Sequence, residues 1–408
     1  MKKQSTGNAW IITAFFTLFM IIMTFNLIVF PASAQDTMEI YGIGQAGLTT
    51  LASVTSLVGL FAGLIFGPML DRKGPRKTIL YAMVIGVIFF FIRVFVTNYT
   101  IVVILTFLAS FFVGVCQVAA AKVLDTWFTK DKVSVAFAFQ SAGAGIGSAA
   151  AFLIASLLGL RNSLLLIAIA YTLLWVMWIF IGGEGPYAMP TSGPPKGGFA
   201  VVFKSSYLWM LAIAYSCAVG STLLINSYCI NAFIAKGLDP SAASMMGMVI
   251  NLSLLGGGYL GTYLMGVIKR YNVVTIICFT GGAIGYLLAW FTPLGVNTWI
   301  FMILGGLIIG GGIGLTAGRT PLVPLTGQFS QEYIGTASGA METIKGVLTF
   351  VLPIAIAQWF QTNYNGIFIA FAVLCAIGLV TGGILVPELG PKGQLQKDAK
   401  LKADSAAE

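Results

Sequence analysis

Arg93, Lys122, Asp125, Arg319, Glu342 and Lys345 are charged residues set inside otherwise apolar stretches of the chain. A charge at the centre of a bilayer costs at least about 2.5–3.5 kcal/mol, so each needs a counter-charge, a wet cavity or a route to the interface. Lys122 and Asp125 stand three residues apart, as do Glu342 and Lys345, a spacing that puts both members on one helix face. Such a pair is either an internal ion pair or a device in which the cation attracts an anion while the carboxyl takes up and releases a proton. Arg319 follows the small-residue stretch Gly310 to Gly318 and precedes Pro321 and Pro324, which loosen a helix. Read as deep in its span, its guanidinium opens into the volume left by small neighbours and can fork to a carboxylate. Arg93 lies about one turn from the end of its span and reads as snorkelling to the headgroups. Lys122 assists an anion, gates, or only pairs with Asp125.

Four intramembrane cations against two acids leave a surplus of about two positive charges, so the matching cargo is an anion and an organic cation is repelled. Histidine is absent, which leaves Glu342 or Asp125 to carry any coupled proton. Gln117, Asn226 and Asn251 could read hydroxyl or carboxyl oxygens, or equally could bond one helix to another.

These residues need a frame. Of 408 residues 58% are hydrophobic and only 9% charged, with a mean hydropathy of +0.94, whereas soluble domains carry about a quarter charged residues. Disordered, collagenous, coiled-coil and disulfide-stapled classes are excluded with the soluble ones. Runs of about 20 apolar residues predict twelve membrane-spanning helices, over 9–33, 45–70, 78–97, 100–127, 133–160, 163–183, 207–235, 241–268, 273–292, 298–322, 334–360 and 366–387. Lys2, Lys3 and Ala32-Ser33-Ala34 imitate a signal peptide, but the apolar run from Trp10 to Phe30 is long enough to span and reads as an uncleaved first helix.

Sixteen of the 22 basic residues fall in segments on the side of the N-terminus, and only Arg161 and Lys236 on the other. Both termini are therefore expected in the cytoplasm, with the protein in the cell (inner) membrane. The Pro- and Gly-rich segment 184–206 reads as a cytoplasmic linker between six-helix bundles at 1–183 and 207–388, with 389–408 as a cytoplasmic tail. The five cysteines read as packing residues, and no spacing points to a metal, a cofactor or a nucleotide loop.

At a shift of 198 residues Gly59 falls on Gly257, Gly63 on Gly261, Arg72 on Arg270 and Gly114 on Gly312; later the register becomes 201, where Asp131 meets Glu332. The second span ends Gly67-Pro68-Met69-Leu70-Asp71-Arg72-Lys73-Gly74-Pro75-Arg76-Lys77, which resembles the G-x-x-x-D-R-x-G-x-R-K signature of the major facilitator superfamily. The second half carries Lys269-Arg270 in place of Asp-Arg. The resemblance implies an all-α fold of two six-helix bundles rocking about a central site, with spans 1, 4, 7 and 10 lining it and 2, 5, 8 and 11 contributing. It also implies that Asp71 and Arg72 help close the cytoplasmic face.

Within that family, basic residues in spans ten and eleven look similar to the oxalate:formate antiporter, monocarboxylate and anion-symporter branches. Lys345 falls where the oxalate exchangers keep a substrate lysine, while their span-eight arginine has no counterpart, Asn251 being the polar residue there. Drug antiporters carry G-P-x-x-G-G in span five, and Gly143-Ala144-Gly145-Ile146-Gly147 lacks the proline. The expectation is a monomeric secondary transporter of a mono- or dicarboxylate, by proton symport or anion exchange, in contact with lipid but not nucleic acid. Arg319 and Lys345 are its expected anion ligands. The competing expectation is a proton-coupled drug or amphiphile exporter.

Overall fold

A segment inside hydrocarbon must satisfy its own backbone N–H and C=O groups, and the described residues do so with helices alone. The structure is a computed structural model describing residues 6–61, 65–66, 69–70, 73–128, 132–183, 185 and 198–393. In chain order the long elements are α1 Thr6–Ala32, α2 Ala34–Tyr41, α3 Gln45–Ser53, α4 Pro75–Phe95, α5 Tyr99–Trp127, α6 Val133–Ile181, α7 Ser206–Ala235, α8 Pro240–Ile268, α9 Tyr271–Phe291, α10 Val296–Ala317, α11 Ile334–Phe360 and α12 Tyr364–Leu379.

Ten of these helices are long and apolar enough to span, and the bent pair Ala34–Tyr41 with Gln45–Phe61 makes an eleventh among the described residues. α6 would be roughly 70 Å long, more than twice the hydrocarbon thickness. It is interrupted at Gly159, whose φ of 73° and ψ of 173° leave the helix. The second span begins at α3 and passes through a 3-10 turn, Val54–Leu57, into a short helix, Val58–Phe61. Residues 133–160 and 163–183 are thus two helices that meet at a kink at Gly159, as expected, and one expectation is corrected: the tenth helix stops at Ala317 rather than at 322. Pro321 and Pro324 lack an N–H to continue it, and the chain turns into a 3-10 segment, Thr320–Thr326.

By internal packing the chain divides into a first unit, Met1–Thr191 with Asn226–Leu252, and a second, Ser192–Ile225 with Ser253–Glu408. Within the first unit α1 lies so close to α6 that a Cβ on Gly147 would stand 2.0 Å from the Ile21 carbonyl oxygen. The glycines of the sequence repeat mark equivalent close approaches. A Cβ on Gly114 would meet Val58 in the first unit, and one on Gly257 would meet the Leu307 carbonyl in the second. Outward-facing Phe95, Phe180 and Trp359 are largely exposed, as residues turned toward lipid should be. All five cysteines are free and buried.

The signature loop is described only in part. Gly74 holds φ 75° and Pro75 opens α4, so a residue free to adopt positive φ precedes one preset for the first helical turn. Asp71 and Arg72 lie outside the described residues, as does the side chain of Lys122.

Candidate functional site

α11 buries Ala337, Ala340, Met341 and Ile344, an i, i+3, i+4, i+7 stripe packed with Leu208, Leu211 and Ala212 of α7. Glu342 and Lys345 flank that stripe and so share the neighbouring face. Lys345 Nζ pairs with Glu342 Oε2, the lysine side chain being 17% exposed and the glutamate 40%. On the other side the ammonium lies 5.2 Å from the ring centroid of Tyr215 on α7. Eleven residues into α11, or roughly 17 Å from its start, this group sits near the middle of a span. The ammonium is thus half-enclosed between a carboxylate and an aromatic face, the carboxylate lying on the more open side.

Arg319 is arranged differently. It follows α10, opens the 3-10 turn and is 0% exposed. Its Nη1 donates to the Gly382 carbonyl at 2.6 Å and to Asn272 Oδ1 at 3.3 Å, while Nη2 donates to the Tyr271 carbonyl at 2.7 Å and to Thr275 Oγ1. Gly382 lies in a π-helical turn, Val380–Ile384, that follows α12. Glu388 completes the knot by accepting from the backbone N–H groups of Tyr271, at 2.7 Å, and Asn272, at 3.1 Å, where a carboxylate complements a helix N-terminus. The expected placement of Arg319, deep in a span and opening into free volume, is corrected: it joins three chain segments beyond a helix end.

Arg93 is also corrected. It does not reach for headgroups but is 0% exposed, 4.8 Å from the Phe90 ring centroid and 5.5 Å from that of Phe30. Its Nη1 donates to Thr106 Oγ1 at 3.4 Å, and Nε and Nη2 have no hydrogen-bond partner. The helix face bearing it turns toward α5 rather than outward.

Asn226 and Asn251 bond each other, Asn251 Nδ2 donating to Asn226 Oδ1 at 2.9 Å, and both are buried. Gln117 and Asp125 are exposed on α5, so α5 presents polar atoms along one face and at its end. The structure brings Glu342 and Lys345 together, ties Asn226 to Asn251, and leaves Arg319 in its own set of protein acceptors. Tyr215 went unread in the sequence, where one tyrosine in an apolar run carries no signal. Among the described residues no group of three or more potential metal ligands occurs.

Residues 14–353 match the family described as Major Facilitator Superfamily. No curated protein matches. Solved structures share the fold: a D-xylose-proton symporter at 14% identity, covering 94% of this chain and 99% of its own, with a TM-score of 0.74. A bacterial homolog of the human lysosomal transporter Spinster, inward-facing and unoccupied, gives 13% identity, 93% and 96% coverage and a TM-score of 0.71. A variant of the nucleoside transporter NupG gives 13% identity, 91% and 98% coverage and a TM-score of 0.70.

Proposed function

The chain belongs to the Major Facilitator Superfamily, a family of membrane transporters and not of enzymes, and we propose that it carries a small mono- or dicarboxylate together with a proton by alternating access. The observation that carries this reading is the half-open Glu342–Lys345 pair at mid-span. While Glu342 is ionised, Lys345 is neutralised and a second carboxylate would be repelled. Two like charges 4 Å apart at an effective dielectric of about 20 cost about 4 kcal/mol, close to a thousandfold in affinity. Protonating Glu342 removes that repulsion and frees the ammonium for the substrate carboxylate. Deprotonation on the other side returns Glu342 to Lys345 and expels the anion. For a monocarboxylate the cycle moves no net charge.

Tyr215 supports the ammonium during the exchange, since its ring attracts the cation in either state. Gln117, exposed on α5, is a candidate polar contact for substrate on the first unit, and Lys122 and Asp125 are candidates for the gate with Asp71 and Arg72. Arg319 we assign to holding the fold, because both of its Nη groups already serve protein oxygens, although its buried Nε has no hydrogen-bond partner. Asn226 and Asn251 serve each other in the same way. Both termini are placed in the cytoplasm on the bias of basic residues. An exporter of hydrophobic cations fits this site less well, since a cationic cargo would meet the like charge of the largely buried Lys345.

Proteoliposomes loaded at neutral pH and placed in acidic medium with labelled carboxylates test the reading. Uptake should follow the pH gradient, vanish in Lys345→Ala, and persist as gradient-independent exchange in Glu342→Gln. Carboxylate uptake unaffected by Lys345→Ala would remove the assignment.

A further inference from the structure

Gln45, the first residue of α3, uses both ends of its amide on one turn of α7. Its Nε2 donates to the Ser227 carbonyl at 2.6 Å, and its Oε1 accepts from Asn231 Nδ2 at 2.8 Å. Asn231 Nδ2 also reaches Met38 Sδ of α2 at 3.4 Å. Gln45 is buried, and all four residues belong to the first unit. Ser227 and Asn231 stand i, i+4, so they present a carbonyl and an amide on the same helix face, which a primary amide matches with its donor and acceptor. α7 itself passes from the second unit to the first at Asn226, immediately before this contact.

We propose that Gln45 and Asn231 form an uncharged latch holding the last turns of α7 to α3. The latch opens whenever the end of the protein bearing the link 235–240 admits or releases substrate. This rests on the transporter reading but not on the identity of the cargo. The latch contains no ionisable atom. The titratable groups around it on the packed elements are Asp36, Glu39 and Tyr41 on α2, Tyr228 and Cys229 on the last turns of α7, and Lys236 and Asp239 in the link, the tyrosines and the cysteine titrating above neutral pH; α3 and residues 240–252 of α8 carry none. Its strength is therefore independent of pH, and proton dependence enters transport elsewhere, at Glu342.

Cys229 is a native reporter, fully buried two residues before Asn231. The test uses protein in which Cys116, Cys217, Cys278 and Cys375 are changed to Ser, in right-side-out vesicles, with a membrane-impermeant maleimide and no substrate. Labelling of Cys229 is normalised to denatured protein at the same pH. Gln45→Ala and Asn231→Ala should each raise the rate roughly five- to tenfold, the loss of one or two interhelical hydrogen bonds, equally at mildly acidic and neutral pH. Unchanged labelling in a variant that stays monodisperse, or a rate that shifts with pH, would overturn the latch. Should either variant fail to fold, cysteines placed at 45 and 231 and joined by a short bifunctional reagent provide the second measurement. Joining them must slow Cys229 labelling below the parent rate and stop transport of any cargo; free transport in the joined protein overturns the proposal. Loss of carboxylate uptake with normal latch behaviour would instead count against the anion reading alone.

Discussion

Asp36 Oδ2 accepts a hydrogen bond from the backbone N–H of Leu160 at 3.0 Å, across 124 residues of sequence. The break in α6 at Gly159 deprives Leu160 of a helical carbonyl, and Asp36, just after α1, supplies the missing acceptor. The carboxylate acts as an N-cap for the second half of α6, although it comes from another segment.

Removing this cap in Asp36→Ala should cost about 1–2 kcal/mol, the range for N-cap deletions. Gly159→Ala should also destabilise, because its φ of 73° strains any residue with a Cβ, and that atom would stand 3.2 Å from the same carboxylate oxygen. Since both changes act at one junction, the double variant should lose less than the sum of the two. Unfolding of detergent-solubilised protein, followed by tryptophan fluorescence, measures all three; strict additivity would show that Asp36 does not act at the break.

The spans were legible because hydrocarbon imposes a length and an apolar composition that few other environments demand. The Glu342–Lys345 pair was legible too, since i, i+3 geometry is local to one helix. Arg319 was not. Its fate depends on a carbonyl 63 residues later, at Gly382, and on the two prolines that end α10 before it. Arg93 was misread because α4 is apolar on every side, so nothing in its pattern says which face turns inward. Tyr215 gains meaning only from α7 packing on α11, and Gln45 only from the turn of α7 that it meets.

Arg319→Lys should separate structural from ligand roles. Lysine keeps the charge but replaces a planar fork by a single ammonium, so the Gly382 and Tyr271 carbonyls cannot both keep their partners. A loss of about 1–3 kcal/mol is expected from unsatisfied buried acceptors. The KM for any transported carboxylate should stay unchanged in the fraction that remains folded. A raised KM with unaltered stability would return Arg319 to the substrate site.

Arg93 leads to the opposite expectation. Its guanidinium is fully buried, with one long hydrogen bond to Thr106, two aromatic faces and two nitrogens lacking hydrogen-bond partners, so little offsets its desolvation. Arg93→Met, which keeps an unbranched chain among Phe30 and Phe90, should leave stability unchanged or raise it by about 1–4 kcal/mol. A markedly lower melting temperature would mean that the cation contacts with Phe30 and Phe90 outweigh the cost of burial.

Asp239 sets the last expectation, one of acid stability. It precedes Pro240 at the start of α8, where it accepts from the Ser241 hydroxyl at 2.5 Å and the Ser241 N–H at 3.1 Å. These bonds, led by the hydroxyl, hold its carboxyl below the usual carboxylate range. A carboxyl more acidic in the folded than in the unfolded protein stabilises the fold above its unfolded value, about 3.9, and that contribution disappears as pH falls through the lower folded value. Stability should therefore decline on acidification below about pH 4 through this group. Asp239→Asn retains a capping oxygen without a titrating proton, so its melting temperature should fall less steeply over the same acid range. The side chain is exposed, and the difference should be small and should shrink as salt is added. Parallel acid melting curves for parent and Asp239→Asn would show that the helix start does not contribute to acid sensitivity.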